Sequence, residues 1–238
     1  MEYKYQAIAL GKIKIAETDR IYTFYTMEAG KVRLMAKGVR RPNAKLAGNL
    51  EPITNAEIFV AKGKGRGKIT GVININNFLG IKENILALEK VFYVFRIFDR
   101  LITEEEKDEK IFLLLLSYLQ TLDENSREEN ENKIEILTFG FIFKLLSGLG
   151  YGLEMKKCAE CAGKLESEKN YFSAEFGGVL CEKCAKHKTK KVKIEDETVK
   201  FIRIFLENKI ENLGKIKTEK KSLNNLKIIT NEAVQWIV

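Results

Sequence analysis

The spacing of the hydrophobic residues changes once along this chain, near residue 80. From Tyr5 to about Ile75, apolar residues alternate with polar ones in short runs that are separated by turn residues, which is typical of β-strands. From Ile81 onward they recur every three or four residues, as they do on the buried face of an α-helix. A strand-rich segment followed by a helix-rich segment predicts the α+β fold class.

Five strands are predicted before the change. The third and fourth are separated by a longer connection, and five strands within about 75 residues fit a small closed barrel of the OB type. A small β-sandwich is the main alternative. The predicted strands are Gln6–Ile15, Arg20–Met27, Lys31–Gly38, Ile53–Ala61 and Lys68–Asn74.

Helices are predicted after the change. The acidic run near Asp108 suits the positive end of a helix dipole, and the polar stretch Asp123–Asn132 predicts a loop. Because the apolar run Ile111–Leu116 covers more than one face, we expect its helix to be the central one. Gly148 and Gly150 can end the following helix with a positive φ. Beyond Ile81–Phe98, the predicted helices are Asp108–Leu122, Lys133–Ser147, Glu195–Asn212 and Leu223–Ile237.

Four cysteines give the strongest local motif. Cys158 and Cys161 form one C-x2-C pair, Cys181 and Cys184 form another, and 19 residues separate the pairs. This spacing is typical of closed, tetrahedral four-cysteine zinc sites, so we expect one structural Zn²⁺. The intervening residues predict a β-hairpin, as in a zinc ribbon. The only histidine, His187, is expected at the surface, because four thiolates already saturate the ion.

Positive charge is concentrated near the N-terminus. Residues 1–80 contain 14 Lys and Arg against 6 Asp and Glu, whereas residues 81–150 contain 9 against 14. On the third strand the basic residues fall on the face opposite Val32 and Leu34, and the loop Gly63–Gly67 is also basic. OB folds bind oligonucleotides at this face and at this loop. The candidate DNA contacts are Lys31, Arg33, Lys37, Arg40, Arg41, Lys45, Lys62, Lys64, Arg66 and Lys68.

Two aromatic residues of the second strand have two interpretations. Tyr22 and Phe24 share one face, where they could stack on bases or belong to the barrel core.

Several function classes lack their sequence signals. The longest uncharged run, Ile69–Ile81, is shorter than the roughly 18 apolar residues of a membrane span. No signal peptide is visible, so we expect a cytoplasmic, nucleoid-associated protein with no membrane partner. One histidine, no nucleophile set and no phosphate-binding loop leave no candidate catalytic residues, so we do not expect an enzyme.

Short motifs resemble the RecO family of bacterial recombination mediators. In the strand-rich part these are Ala16-Glu-Thr-Asp-Arg20, Met27-Glu-Ala-Gly-Lys31, Ala36-Lys-Gly-Val-Arg-Arg41 and Leu50-Glu-Pro52. Later in the chain they are Phe143-Lys-Leu-Leu-Ser-Gly-Leu-Gly-Tyr151, Phe172-Ser173 and Gly177-Gly178. Together these motifs span about three quarters of the sequence.

The resemblance implies binding of single- and double-stranded DNA and ATP-independent annealing of complementary strands. It further implies that the protein acts with RecR and the single-strand-binding protein to help load RecA, and that RecF is a further partner. By the same resemblance, the four cysteines become the zinc ligands, and Lys37, Arg40 and Arg41 become the leading DNA contacts.

Four segments follow from these observations: an OB-fold domain (1–79), a first helical part (80–152), a four-cysteine hairpin (153–190) and C-terminal helices (191–238). Two other functions remain open. A zinc-ribbon RNA-binding or transcription accessory protein would use the same charges and cysteines. A thiol oxidoreductase would need a reactive dithiol at a helix N-terminus within a βαβ unit, and no such unit is visible.

Overall fold

The computed structural model describes residues 1–15, 17–41, 46, 49–63, 66–128 and 130–237. Its first part is a closed five-stranded barrel with the order β1-β2-β3-β5-β4, in which β3 and β5 pair in parallel and the other neighbours are antiparallel. The barrel prediction is therefore confirmed and the sandwich is excluded. The strands are β1 (Glu2–Lys14), β2 (Arg20–Thr26), β3 (Gly30–Ala36), β4 (Asn55–Ala61) and β5 (Lys68–Asn76).

The remaining elements are mostly helical. A three-stranded antiparallel sheet of order β7-β6-β8 interrupts the helices, so the α+β class with an inserted hairpin is confirmed. The sheet consists of β6 (Tyr171–Ser173), β7 (Gly178–Leu180) and β8 (Val192–Lys193). The helices are α1 (Leu79–Glu83), α2 (Ile85–Leu101), α3 (Glu109–Asn125), α4 (Glu131–Gly148), α5 (Glu182–Ala185), α6 (Asp196–Glu207), α7 (Ile210–Leu213) and α8 (Lys220–Ile237).

The central helix is α4 and not α3, contrary to the expectation. Helix α4 packs against α2, α3, α6, α7 and α8, whereas Leu113 of α3 is exposed. The predicted helix Lys133–Ser147 is confirmed as α4, and Gly150, at φ +90°, provides the positive φ just beyond the end of α4. Within the described part of the chain, no helix combines the length and the apolar character needed to cross a bilayer.

Three predicted helices end or break differently in the structure, because side chains act on helix ends. The predicted helix that begins at Ile81 is two helices, α1 and α2, and the side chain of Asn84 caps the second. Helix α3 extends into the predicted loop, since Asp123 is held there by the backbone N–H of Ile81, which donates to its carboxylate at 3.0 Å. The predicted helix Glu195–Asn212 is instead two helices, α6 and α7. At the break, the side-chain amide of Asn208 donates to the carbonyl of Ile204 at 3.0 Å and caps α6.

The barrel and the helices share buried surface. The barrel has its own core, which includes Tyr22, Phe24 and Ile58. A larger core joins the helices to barrel residues Ile8, Leu10, Tyr25 and Ile53. The ring of Tyr25 lies edge-on to Phe98 at 4.8 Å, and its hydroxyl donates to the carbonyl of Asp108.

Candidate metal centre and nucleic-acid interface

The four cysteines converge on one point. The Sγ atoms of Cys158, Cys161, Cys181 and Cys184 all lie within 4.8 Å of one another, and those of Cys161 and Cys181 are 3.9 Å apart. A tetrahedral Zn²⁺ with Zn–S bonds of about 2.3 Å would separate its sulfur ligands by roughly 3.8 Å. All four are free thiols. The donor set and its spacing therefore fit a metal ion.

Local backbone structure brings the two pairs together. The first pair lies in a tight turn, in which the N–H of Cys158 donates to the carbonyl of Gly163 at 2.8 Å. The second pair begins α5, with Cys181 as its N-cap. Between them, β6 and β7 form the predicted hairpin. Gly178 of β7 passes so close to Glu154 that a Cβ at Gly178 would lie 2.2 Å from the carbonyl oxygen of Glu154.

The thiols do not share an equal tendency to ionise. Burial opposes ionisation of Cys158, but hydrogen bonds from the backbone of Cys161, Cys181 and Glu160 outweigh it and lower its pKa to about 6. Desolvation, and after it the neighbouring thiols, raise the pKa of Cys184. Four sulfurs this close favour full ionisation only when a cation compensates their charge. Full ionisation of this cluster therefore requires a bound cation.

The redox interpretation meets only part of its requirement. Cys181 does cap a helix, but α5 has four residues and the adjoining sheet is antiparallel, so the βαβ setting is not there. His187 is exposed, as expected of a surface residue.

One group of basic residues surrounds a concavity of about 190 Å³ on the barrel. Arg33 of β3 lies on one side, and Lys62 and Arg66 from the loop between β4 and β5 lie on another. All three are exposed. Glu104 also lines the concavity and pairs with Arg33 at 3.0 Å. Lys68 is exposed too and begins β5 opposite Met35.

A second group follows β3 and is oriented by Asp19, which the sequence reasoning did not single out. The carboxylate of Asp19 accepts from the N–H of Gly38 at 2.8 Å, and this bond, with another from Thr18, lowers the pKa of Asp19. Arg40 donates to the carbonyl of Glu17 at 2.9 Å. Lys37, Arg40 and Arg41 thus lie exposed on a fixed turn.

Lys31 does not lie on this exposed face, contrary to the expectation. Its side chain is only 6% exposed, and Nζ donates to the backbone carbonyl of Asp99 at 2.6 Å and to its carboxylate at 3.2 Å. The connection between α2 and α3 covers the start of β3, and Gly30 packs on the backbone of Glu106 there. Strand alternation gave the direction of Lys31 correctly but could not show which element lies over it.

The aromatic residues of β2 belong to the barrel core. Tyr22 and Phe24 are fully buried, so base stacking on them is excluded. An exposed ring that the sequence reasoning missed is Tyr3, with Nζ of Lys62 5.9 Å from its centroid. Lys45 and Lys64 lie outside the described residues. We call the seven remaining candidates the barrel basic face: Arg33, Lys37, Arg40, Arg41, Lys62, Arg66 and Lys68.

A basic OB-type barrel joined to a helical bundle with a four-cysteine hairpin defines a class of architecture, and sequence comparison identifies the family. A model of the N-terminal part of recombination protein O matches residues 1–78, and a model of its C-terminal part matches residues 83–238. The chain therefore belongs to the recombination protein O family.

Individual relatives agree with this assignment. A DNA repair protein RecO from Dehalococcoides mccartyi is 33% identical over 237 residues, which cover 100% of this chain and 91% of the relative. The DNA repair protein RecO of Caldicellulosiruptor bescii is 26% identical over 99% of this chain and 93% of its own length. That of Bacillus subtilis is 25% identical over 94% and 85%.

Proposed function

We propose that this protein is a DNA repair and recombination mediator that binds single- and double-stranded DNA and anneals complementary strands. In this proposal it acts with RecR to help load RecA onto DNA coated by the single-strand-binding protein, and RecF is a further partner. Its place of action is the cytoplasm, at the nucleoid. No step of this function needs a catalytic residue, since annealing requires only that two strands be held and released.

The barrel basic face is the observation that carries the proposal. Its side chains are exposed, and those of Arg33, Lys62 and Arg66 line a concavity on an OB-type barrel. The turn with Lys37 and Arg41 is fixed by backbone hydrogen bonds. Cations held on a rigid scaffold bind phosphates by releasing counterions from the nucleic acid. OB folds use the same region for oligonucleotides. The names of the relatives point to DNA repair as the setting.

We further propose that the four cysteines hold one Zn²⁺ with a structural role. Cys158, Cys161, Cys181 and Cys184 would fill all four tetrahedral positions and leave none open for substrate. The ion would fix the turn of the first pair against the start of α5.

The test is annealing, without ATP, of complementary strands coated with the cognate single-strand-binding protein. The informative variant is Lys37→Gln/Arg41→Gln, which spares Arg40 because Arg40 also holds the turn. The matched control is Lys110→Gln/Lys200→Gln, which removes two exposed charges from α3 and α6. The double variant should slow annealing, and its log-log salt slope on single strands should be shallower by about 1.4.

Two outcomes would contradict the proposal. If neither the unchanged protein nor the control anneals strands, although both are folded, the mediator function is wrong. If structured RNA displaces DNA at far lower concentration than DNA displaces RNA, the RNA-binding alternative becomes the better account.

A further inference from the structure

A second basic surface lies on the four-cysteine unit, and no barrel residue is among those that line it. The segment 186–193, here called the lysine segment, contains five lysines, one histidine and no acidic residue. It connects α5 to β8, and β8 pairs with β6. Four of its lysines place Nζ over aromatic rings: Lys188 over Phe176 at 4.0 Å, Lys190 over Trp236 at 5.2 Å, and Lys191 and Lys193 over Tyr171 at 5.2 and 5.1 Å.

Residues 189–192 of the lysine segment, with Lys190 and Lys191, form one wall of a groove of about 380 Å³. The last turn of α8 forms the opposite wall, with Trp236 50% exposed. Residues of β6 and of the turn after it, Ser173 and Ala174, lie between the walls. Glu232 of α8 also lines the groove and is the one carboxylate among its lining residues. We call this the lysine–aromatic groove.

Most of the charge here is not neutralised by the protein. Among the described carboxylates, only that of Glu160 forms an ion pair with the segment, to Lys188 at 2.8 Å. Lys191 and Lys193 donate to the backbone carbonyls of Ala185 and Glu168, which carry no net charge. The groove therefore offers fixed positive charge beside a half-exposed indole.

This combination suits a polyanion that also carries flat apolar groups. Lysines bind the phosphates of a single strand, and an aromatic side chain stacks on its bases in a sequence-tolerant way. The indole has two faces, and Lys190 lies over one of them. An acidic peptide would use the lysines but leave the exposed indole without a partner, and a duplex hides the faces of its bases.

We propose that the lysine–aromatic groove is a second binding site for single-stranded DNA, separate from the barrel basic face. The inference rests on the proposed function, because it assumes that DNA is the polyanion, and it extends that function. A protein that holds one strand on its barrel and another in this groove raises the local concentration of the two strands for pairing.

The chain supplies its own probe, because Trp236 is the only tryptophan. Titration with a labelled oligo(dT) of 20 nucleotides gives two readings on the full-length protein. Anisotropy of the label reports binding anywhere on the protein, whereas quenching of tryptophan fluorescence reports binding at the groove. The test variant is Lys190→Gln/Lys191→Gln, since both lysines line the groove and neither forms an ion pair with a described carboxylate. The control is Lys110→Gln/Lys200→Gln.

The proposal expects quenching in the unchanged protein and in the control. In the test variant the quenching midpoint should move to higher DNA concentration, and its salt slope should be shallower by about 1.4. In Lys37→Gln/Arg41→Gln the anisotropy should weaken while the quenching midpoint stays in place. If a base stacks on Trp236, the substitution Trp236→Ala should lower the crosslinking of an iodouracil-substituted strand to the peptide that contains residues 186–193.

Four results would overturn the inference in distinguishable ways. Binding by anisotropy with unchanged tryptophan fluorescence would remove the second site and leave the proposed function intact. Absence of both signals would reject the proposed function as well. Equal loss of quenching in the barrel and groove variants would mean a single continuous site. Quenching by polyglutamate but not by oligo(dT) would make the groove a site for an acidic protein.

Discussion

Replacing Cys158 by Ser should unfold the four-cysteine unit and leave the helical core folded. Cys158 is the one fully buried ligand, and its sulfur accepts the backbone N–H of Cys181 at 3.4 Å. A serine hydroxyl stays protonated near neutral pH and is a poor replacement for a thiolate. The substitution therefore removes a metal ligand and an internal contact of the unit together.

The size of the effect follows from what else holds the unit. Its own buried apolar cluster consists of Cys158, Leu180 and Ala185, whose burial contributes only about 3–5 kcal/mol. Binding of a structural zinc ion contributes about 10 kcal/mol or more. Because the ion stabilises the unit more than the apolar cluster does, its loss decides whether residues 156–164 and 181–188 stay ordered. Phe172 and Val179 of the hairpin are buried in the main core and should keep β6 and β7 in place.

Hydrogen exchange read by mass spectrometry, with zinc content measured on the same samples, tests this. In Cys158→Ser, or after chelation, peptides from 156–164 and 181–188 should exchange fast, while α4 remains protected. His187→Ala is the matched control and should keep its zinc, because the exposed His187 is not among the clustered ligands. A zinc-free Cys158→Ser protein with native protection in both segments would refute the reasoning, as would loss of zinc from His187→Ala.

Three further predictions concern the barrel. Lys31→Met should lower the free energy of unfolding by about 1–3 kcal/mol, because it leaves the carbonyl of Asp99 without its charged donor. It should not change the salt slope of DNA binding, and a changed slope would show that Lys31 contacts DNA. Gly30→Ala should cost at least about 1–2 kcal/mol for its φ of +65° alone, and more for the contact with Glu106, so an unchanged thermal melt would contradict that packing. Asp19→Ala should weaken DNA binding by freeing the turn it holds. The folded-state pKa of Asp19 is lowered, so the contribution of its carboxylate to folding stability is present above about pH 4 and is lost as the pH falls through the folded pKa. Equal stability of Asp19→Ala and the unchanged protein at neutral pH would refute this contribution.

The elements that could be predicted from sequence are those whose residues carry their own signal. Alternation located all five strands, because one face of each strand must be buried in the barrel. The C-x2-C pairs located the metal centre, since two tight turns bring thiols together wherever they lie in a fold. The start of α3 was predicted correctly from its acidic residues, and Asp108 is its N-cap.

Several of the errors share a physical cause, which is contact between segments distant in sequence. Asp123 looks like a loop residue, but its partner is the backbone of Ile81, 42 residues away. Lys31 looks solvent-exposed until the connection after α2 covers it. Trp236 and the lysine segment lie more than 40 residues apart, and only the fold places them across one groove. Such pairings leave no periodic pattern in a single sequence, so none could be predicted from it.

We expect the folding stability of the barrel to depend on the helices, although the family models match residues 1–78 and 83–238 separately. Four barrel side chains, Ile8, Leu10, Tyr25 and Ile53, are buried in the core shared with the helices. Exposing them would cost roughly 6–12 kcal/mol, which is comparable to the whole stability of about 5–15 kcal/mol for a typical domain. A fragment of residues 1–78 should therefore melt far below the intact chain, or fail to fold, when both are followed by circular dichroism. A fragment that melts cooperatively within a few degrees of the intact chain would show that the shared core adds little to the barrel. The expected result would mean that the barrel and the helices unfold as one cooperative unit. The barrel basic face then keeps its shape only while the helices are packed against the barrel.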